Sequence, residues 1–168
     1  MNKVASQHFG EIELNHGMDH LFAAQHELRG HPLELDLNIK AHDHFDEAAL
    51  RKVEYRLRFL PELVDEVRAM IAEELEQEGT SPQEYLHFHC NALKDEHLHK
   101  VFGVQDRSQL TNEVFLKALK LGHVAIYPGQ PERYFVMDFT LGQHFTDEVL
   151  VACADQDGVV DDEIVWES

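Results

Sequence analysis

Cysteine is nearly missing from this chain: Cys90 and Cys153 are the only two in 168 residues, and they lie far apart. No disulfide framework can be built from such a pair, which predicts a reducing compartment. No stretch approaches the roughly 20 apolar residues that span a bilayer, so a membrane protein is not expected. The opening MNKVASQHFGEIEL lacks the apolar run of a secretory signal, and the expectation is a cytoplasmic protein. Catalytic punctuation is missing as well. There is no G-x-S-x-G elbow, P-loop or G-x-G-x-x-G, and no Cys-x2-Cys pair or H-E-x-x-H motif.

Basic residues are scarce. Fourteen Lys and Arg stand against 32 Asp and Glu, a formal net charge of −18. Such a surface repels phosphates, so neither nucleic acid nor an anionic membrane is an expected partner. A basic protein would be steered in. Thirteen histidines make the charge sensitive to acid, because protonating all of them would move the net from −18 to −5.

What is present is a change of hydrophobic period. Leu33, Leu35, Leu37 and Ile39 alternate with Glu34, Asp36 and Asn38, the pattern of a half-buried strand. Arg29-Gly30-His31 would turn the chain into it from residues 20–28, where LFAAQHEL reads as strand or short helix. From about residue 46 the period becomes helical. Leu50, Val53, Leu57 and Leu60 form one stripe, Pro61 interrupts, and Val64, Val67, Ile71 and Leu75 form a second. Ser81-Pro-Gln-Glu84 predicts a helix start with Ser81 as its cap, and Thr111 to Lys120 a further short helix. After about residue 122 the strand pattern returns, with turns at Pro128–Pro131 and Asp155–Gly158. The expected fold is α+β in one domain, 1–168. Strands at about 4–39 and 122–166 make an antiparallel sheet, packed against about three to four helices.

Residues 87–99, HFHCNALKDEHLH, hold four histidines and a cysteine. On one continuous helix His87 and His89 point about 160° apart, so they do not share an ion. His89 falls in the apolar stripe with Tyr85, Leu86, Phe88 and Leu93. Cys90 and His97 point the same way but sit about 10 Å apart along the axis, too far for joint ligation unless the helix ends between them. Outside ligands are offered by His42 and His44, which share a face if that segment is extended. Asp46 or Asp43 would then cap the following helix. The candidate zinc or transition-metal set is therefore His42, His44, His89, Cys90 and His97, with His87 and His99 nearby. The plainer reading is a histidine-rich helix with no cofactor. His16-x3-His20 has chelating spacing only if helical, and it falls at an expected turn. Asp155-Gln-Asp-Gly158 opens like a calcium loop, but Trp166 stands where a bidentate Glu is required.

The last third carries a resemblance. Leu119-Lys-Leu121 before a strand, Ile126-Tyr-Pro128, Asp138-Phe-Thr-Leu-Gly142, Thr146-Asp147 and the closing Glu167-Ser168 are its features, together with Phe9-Gly-Glu-Ile near the start. In these the chain resembles the bacterial family catalogued as domain of unknown function number two thousand and four. That resemblance implies a small bacterial cytoplasmic α+β protein and supplies no catalytic residues. The leading expectation is a non-catalytic protein-binding module, for instance an immunity-type inhibitor of a basic partner, with Trp166 and Tyr134 as candidate anchors. The alternative is a metal-binding protein or metal-dependent hydrolase built on the histidine-rich segments. A third reading, a structural component of an assembly, would require a large exposed apolar surface on the first strand.

Overall fold

In the computed structural model of the protein the described residues are 3–14 and 17–168. The expected α+β class is observed. A hairpin of β1 (Lys3–Ser6) and β2 (Gly10–Glu13) stands apart from the main sheet. Then come β3 (His20–Leu28) and β4 (His31–Ile39), five helices, and β5 (Lys120–Ile126), β6 (Phe135–Thr140), β7 (Val149–Ala154) and β8 (Val165–Glu167). These last six strands form one sheet in the order β3-β4-β5-β6-β7-β8.

Residues 20–28 are a strand, which settles the choice left open by their sequence. The hairpin to β4 is a two-residue turn closed by Leu28 opposite His31, with Arg29 and Gly30 both at positive φ (51° and 80°). Both positive angles are those of a type I′ turn, whose twist matches that of paired strands. Arg29 tolerates the left-handed conformation while its guanidinium donates to Asp65 Oδ2 at 2.8 Å.

The N-terminal and C-terminal strands meet at β4 and β5, and this pairing is parallel, with Leu35 beside Val124 and Leu37 beside Ile126. All other pairings in the sheet are antiparallel. A parallel neighbour requires a long crossover, here the whole helical segment: α1 (Glu47–Leu57), α2 (Leu60–Leu75), α3 (Ser81–Ala92), α4 (Asp95–Phe102) and α5 (Asn112–Ala118).

The helices follow their apolar stripes. Leu50, Val53 and Leu57 of α1, and Val64, Val67, Ile71 and Leu75 of α2, are buried against Leu33, Leu35, Leu37 and Ile39 and against Val124, Ile126, Met137 and Phe139. Asp46 is the cap of α1, its side chain accepting from Ala49 N. Asp43 instead accepts from Lys40 N and lies against Gly129, where a Cβ would meet its carboxylate at 2.1 Å. The cap of α3 is Thr80 rather than Ser81. Thr80 is extended and accepts from Gln83 N, which leaves Pro82 in the first turn, where no intrahelical N–H is required. The continuous helix expected over residues 87–99 is two helices. Leu93 is extended and buried, Lys94 caps the next helix, and Arg107 donates to the freed carbonyls of Cys90 and Leu93. The last strand is also shorter than expected. After the isolated Ala154–Val160 bridge the chain leaves the sheet at Asp161-Asp162-Glu163 and rejoins it at Val165.

Among the described residues no helix is long and apolar enough to cross a membrane. Leu37 is fully buried at the sheet–helix interface. Leu37→Ala is expected to lower unfolding free energy by about 2–5 kcal/mol in urea titrations. Gln25→Ala, on the opposite sheet face, should change it by no more than about 0.5 kcal/mol.

Candidate functional site

Alternation gives every strand of the sheet two faces, and the helices cover only one of them. The other face carries Leu21, Ala23, Gln25 and Glu27 of β3, Glu34, Asp36 and Asn38 of β4, Val136, Asp138 and Thr140 of β6, and Val149, Val151 and Cys153 of β7. A local irregularity adds one residue to this set. The β5–β6 register shifts between Leu121 and His123, so Gly122 is an extra residue in β5. The bulge lets Leu121 and Val124 both face the core, and it turns His123 outward opposite Asp138. Gly122 suits this position because a Cβ there would press on Thr140 Cγ2 at 3.3 Å.

His123 therefore lies between two carboxylates on neighbouring strands. Its Nε2 is 2.6 Å from Asp36 Oδ2, and its Nδ1 is 3.3 Å from Asp138 Oδ2. A carboxylate only accepts, so both ring nitrogens donate and the ring is an imidazolium. The hydrogen bond to Asp138, opposed by burial and joined by the bond to Asp36, pushes its pKa up to about 9. Asp36 Oδ1 is buried and finds no hydrogen-bond partner among the described residues.

Beside this cluster is an open cavity of about 600 Å³. Its floor is Gly122, His123, Asp138, Thr140 and Val149, its β4 side is Glu34, and its rim is the 143–147 loop with Gln143, His144, Thr146 and Asp147. No lysine or arginine lines it. The carboxylates of Glu34, Asp138 and Asp147 outnumber the one imidazolium, and the recess suits a cationic group with some apolar surface.

The histidines singled out by sequence go elsewhere. His42 and His44 project into solvent, 3.7 Å from Asp43 and 3.6 Å from Asp46 respectively. His97 donates no framework: its Nδ1 accepts from Lys94 N, and its ring rests on Phe145 at 5.0 Å. Cys90 is half-buried, and burial raises its thiol pKa. His87 and His99 are exposed. His16 lies outside the described residues. Among the described residues no three His, Cys, Asp or Glu side chains are grouped to hold a metal ion. The five candidate ligands are thus not brought together.

His89 is buried as its place in the stripe predicts, and its neighbours fix its role. Nδ1 is 2.7 Å from Tyr85 O, which can only accept, so Nδ1 carries the proton. Nε2 then accepts from the Thr146 hydroxyl at 2.9 Å, while Thr146 Oγ1 accepts from Glu148 N at 3.1 Å. Tyr85 OH donates to Glu148 O, and Trp166 Nε1 to Glu148 Oε2. This closed network ties α3 to β7, β8 and the loop that rims the cavity. Desolvation lowers the His89 pKa, so the ring is held neutral. Of the two candidate anchors, Tyr134 is in the core and Trp166 packs between Tyr85 and Phe88.

Scans against family models, curated proteins and solved structures find no match to this chain.

The two histidines give opposite pH dependences. His123 has a folded pKa above the unfolded value of about 6.5, so its contribution is complete below that pH and is lost as pH rises through about 9. His89 is depressed, so its contribution is complete above about pH 6.5 and is lost as pH falls below it. The expected measurements are an NMR titration placing His123 near pH 9, and a loss of stability between pH 6.5 and 9 that shrinks in His123→Gln. The half-buried thiols act above about pH 8.5 in both proteins, so the difference between them isolates His123.

Proposed function

We propose that the protein is a non-catalytic binding module that captures a basic protein partner on the uncovered sheet face. The observation that carries this reading is the cavity beside His123, where the carboxylates of Glu34, Asp138 and Asp147 outnumber the one imidazolium and no lysine or arginine lines the wall. An arginine or lysine side chain entering it would meet the carboxylates of Glu34 and Asp138 on the sheet and of Asp147 on the rim loop. Val149 and the small side chains around it offer apolar contact for the stem of such a side chain. A net charge of −18 would speed encounter with a basic partner, while the recess would supply specificity. An immunity-type inhibitor of a basic toxin or enzyme is the form of this function most consistent with the charge. Membership in the family of unknown function resembled by the C-terminal half belongs to the same proposal, as does a cytoplasmic location.

Immobilised protein exposed to extract of the source cells is expected to retain a basic partner that is released by salt. With that partner purified, the triple variant Glu34→Gln, Asp138→Asn, Asp147→Asn should weaken binding at least about tenfold. Neutralising Glu62, Glu66 and Glu73 on the exposed side of α2 should change it by less than about twofold, as expected for rim or remote charges. Equal losses from both sets would refute the assignment to this face. Affinity independent of ionic strength would refute the basic partner itself.

A further inference from the structure

The two ends of the sheet are finished differently. β8 is three residues long and closes one edge with Val165, Trp166 and Glu167. At the other end β3 is nine residues long, pairs with β4 without a bulge from His20 to Leu28, and among the described residues has no strand on its outer side. Among the described residues no backbone hydrogen bond outside the β3–β4 ladder uses residues 20–28. Proteins protect such edges with proline, lysine, bulges or short strands. β3 has none of these, and Leu21 beside the edge is 59% exposed.

Charge points to what the edge meets. In a chain of net −18, the β3 sequence HLFAAQHEL contains one acidic residue, Glu27, and no lysine or arginine. Two copies repel each other through their net charge, and along this strip the acid is Glu27 alone. It is also self-complementary. Antiparallel pairing centred on Ala24 sets His20 opposite Leu28 of the second copy, Leu21 opposite Glu27, Phe22 opposite His26 and Ala23 opposite Gln25. Open-face residues then meet open-face residues, core-side residues meet core-side residues, and no like charges face each other. Centring on Ala23 instead would set Asp19 against Glu27, and every shift shortens the ladder.

We propose that β3 pairs with β3 of a second copy, antiparallel about Ala24, joining two six-stranded sheets into one with both uncovered faces on the same side. The dimer is isologous, so each side-chain pair occurs twice and any mismatch is doubled.

Sedimentation velocity over a concentration series from micromolar to submillimolar tests this. The full chain is expected to reach twice its 19.4 kDa mass. Leu21→Glu sets Glu against Glu27 at two places and should raise the dimer dissociation constant about tenfold or more. Adding Glu27→Lys in the same chain restores an opposite-charge pair and should recover dimerisation. Hydrogen exchange of the unmodified protein gives a readout that does not depend on variants folding: amides of residues 20–28 should become more protected as concentration rises. A chain that stays monomeric throughout overturns the proposal. So does a dimer indifferent to Leu21→Glu, one not rescued by Glu27→Lys, or exchange in β3 that ignores concentration.

Discussion

The parallel pairing of β4 with β5 is the constraint on which the rest of the structure depends. Two parallel neighbours cannot be joined by a tight turn, so everything between Ile39 and Lys120 must leave the sheet and return. That excursion contains all five helices, and it covers one face. The apolar side of each strand is spent beneath it, with Leu35, Leu37, Val124, Ile126, Met137 and Phe139 excluded from solvent. The reverse face receives no layer. It keeps its carboxylates, its small apolar residues and the imidazolium of His123, and the candidate site is a consequence of this one-sided construction.

Polar groups within the body are handled by local pairing. Glu54 is buried in α1 but accepts from Gln7 N and from the Arg51 guanidinium, and these bonds hold its pKa down against desolvation. His89 is buried without charge, each ring nitrogen satisfied. His123 is the opposite case, a charged ring on the open face held by two acids. The distinction follows from partners. A carbonyl and a hydroxyl suffice for a neutral ring, while two carboxylates favour the imidazolium.

Much of the fold was legible because one-sided burial writes itself into period. Leu33 to Ile39 alternate and bury their apolar members, and the stripes of α1 and α2 are the buried faces of those helices. The burial of His89 was legible for the same reason. The site around His123 was not. Asp36 is 87 positions away in sequence, and the two meet only because β4 and β5 are parallel neighbours. The bulge at Gly122 is a property of register, which no local pattern announces. The conspicuous histidines form no joint site because spacing has meaning only within one element. The helix break at Leu93 and Lys94 divides Cys90 from His97, and the segment of His42 and His44 points to water.

The claim at the centre of this account is that the face left bare by the crossover is where the protein meets its partner. Backbone amide shift mapping of the labelled protein on addition of the captured partner tests it most directly. The account predicts perturbations concentrated at Glu34, His123, Asp138, Thr140 and Val149, spread over four strands but confined to one face of the sheet. Perturbations gathered instead on the exposed sides of α1 and α2, with the His123 neighbourhood unchanged, would contradict it.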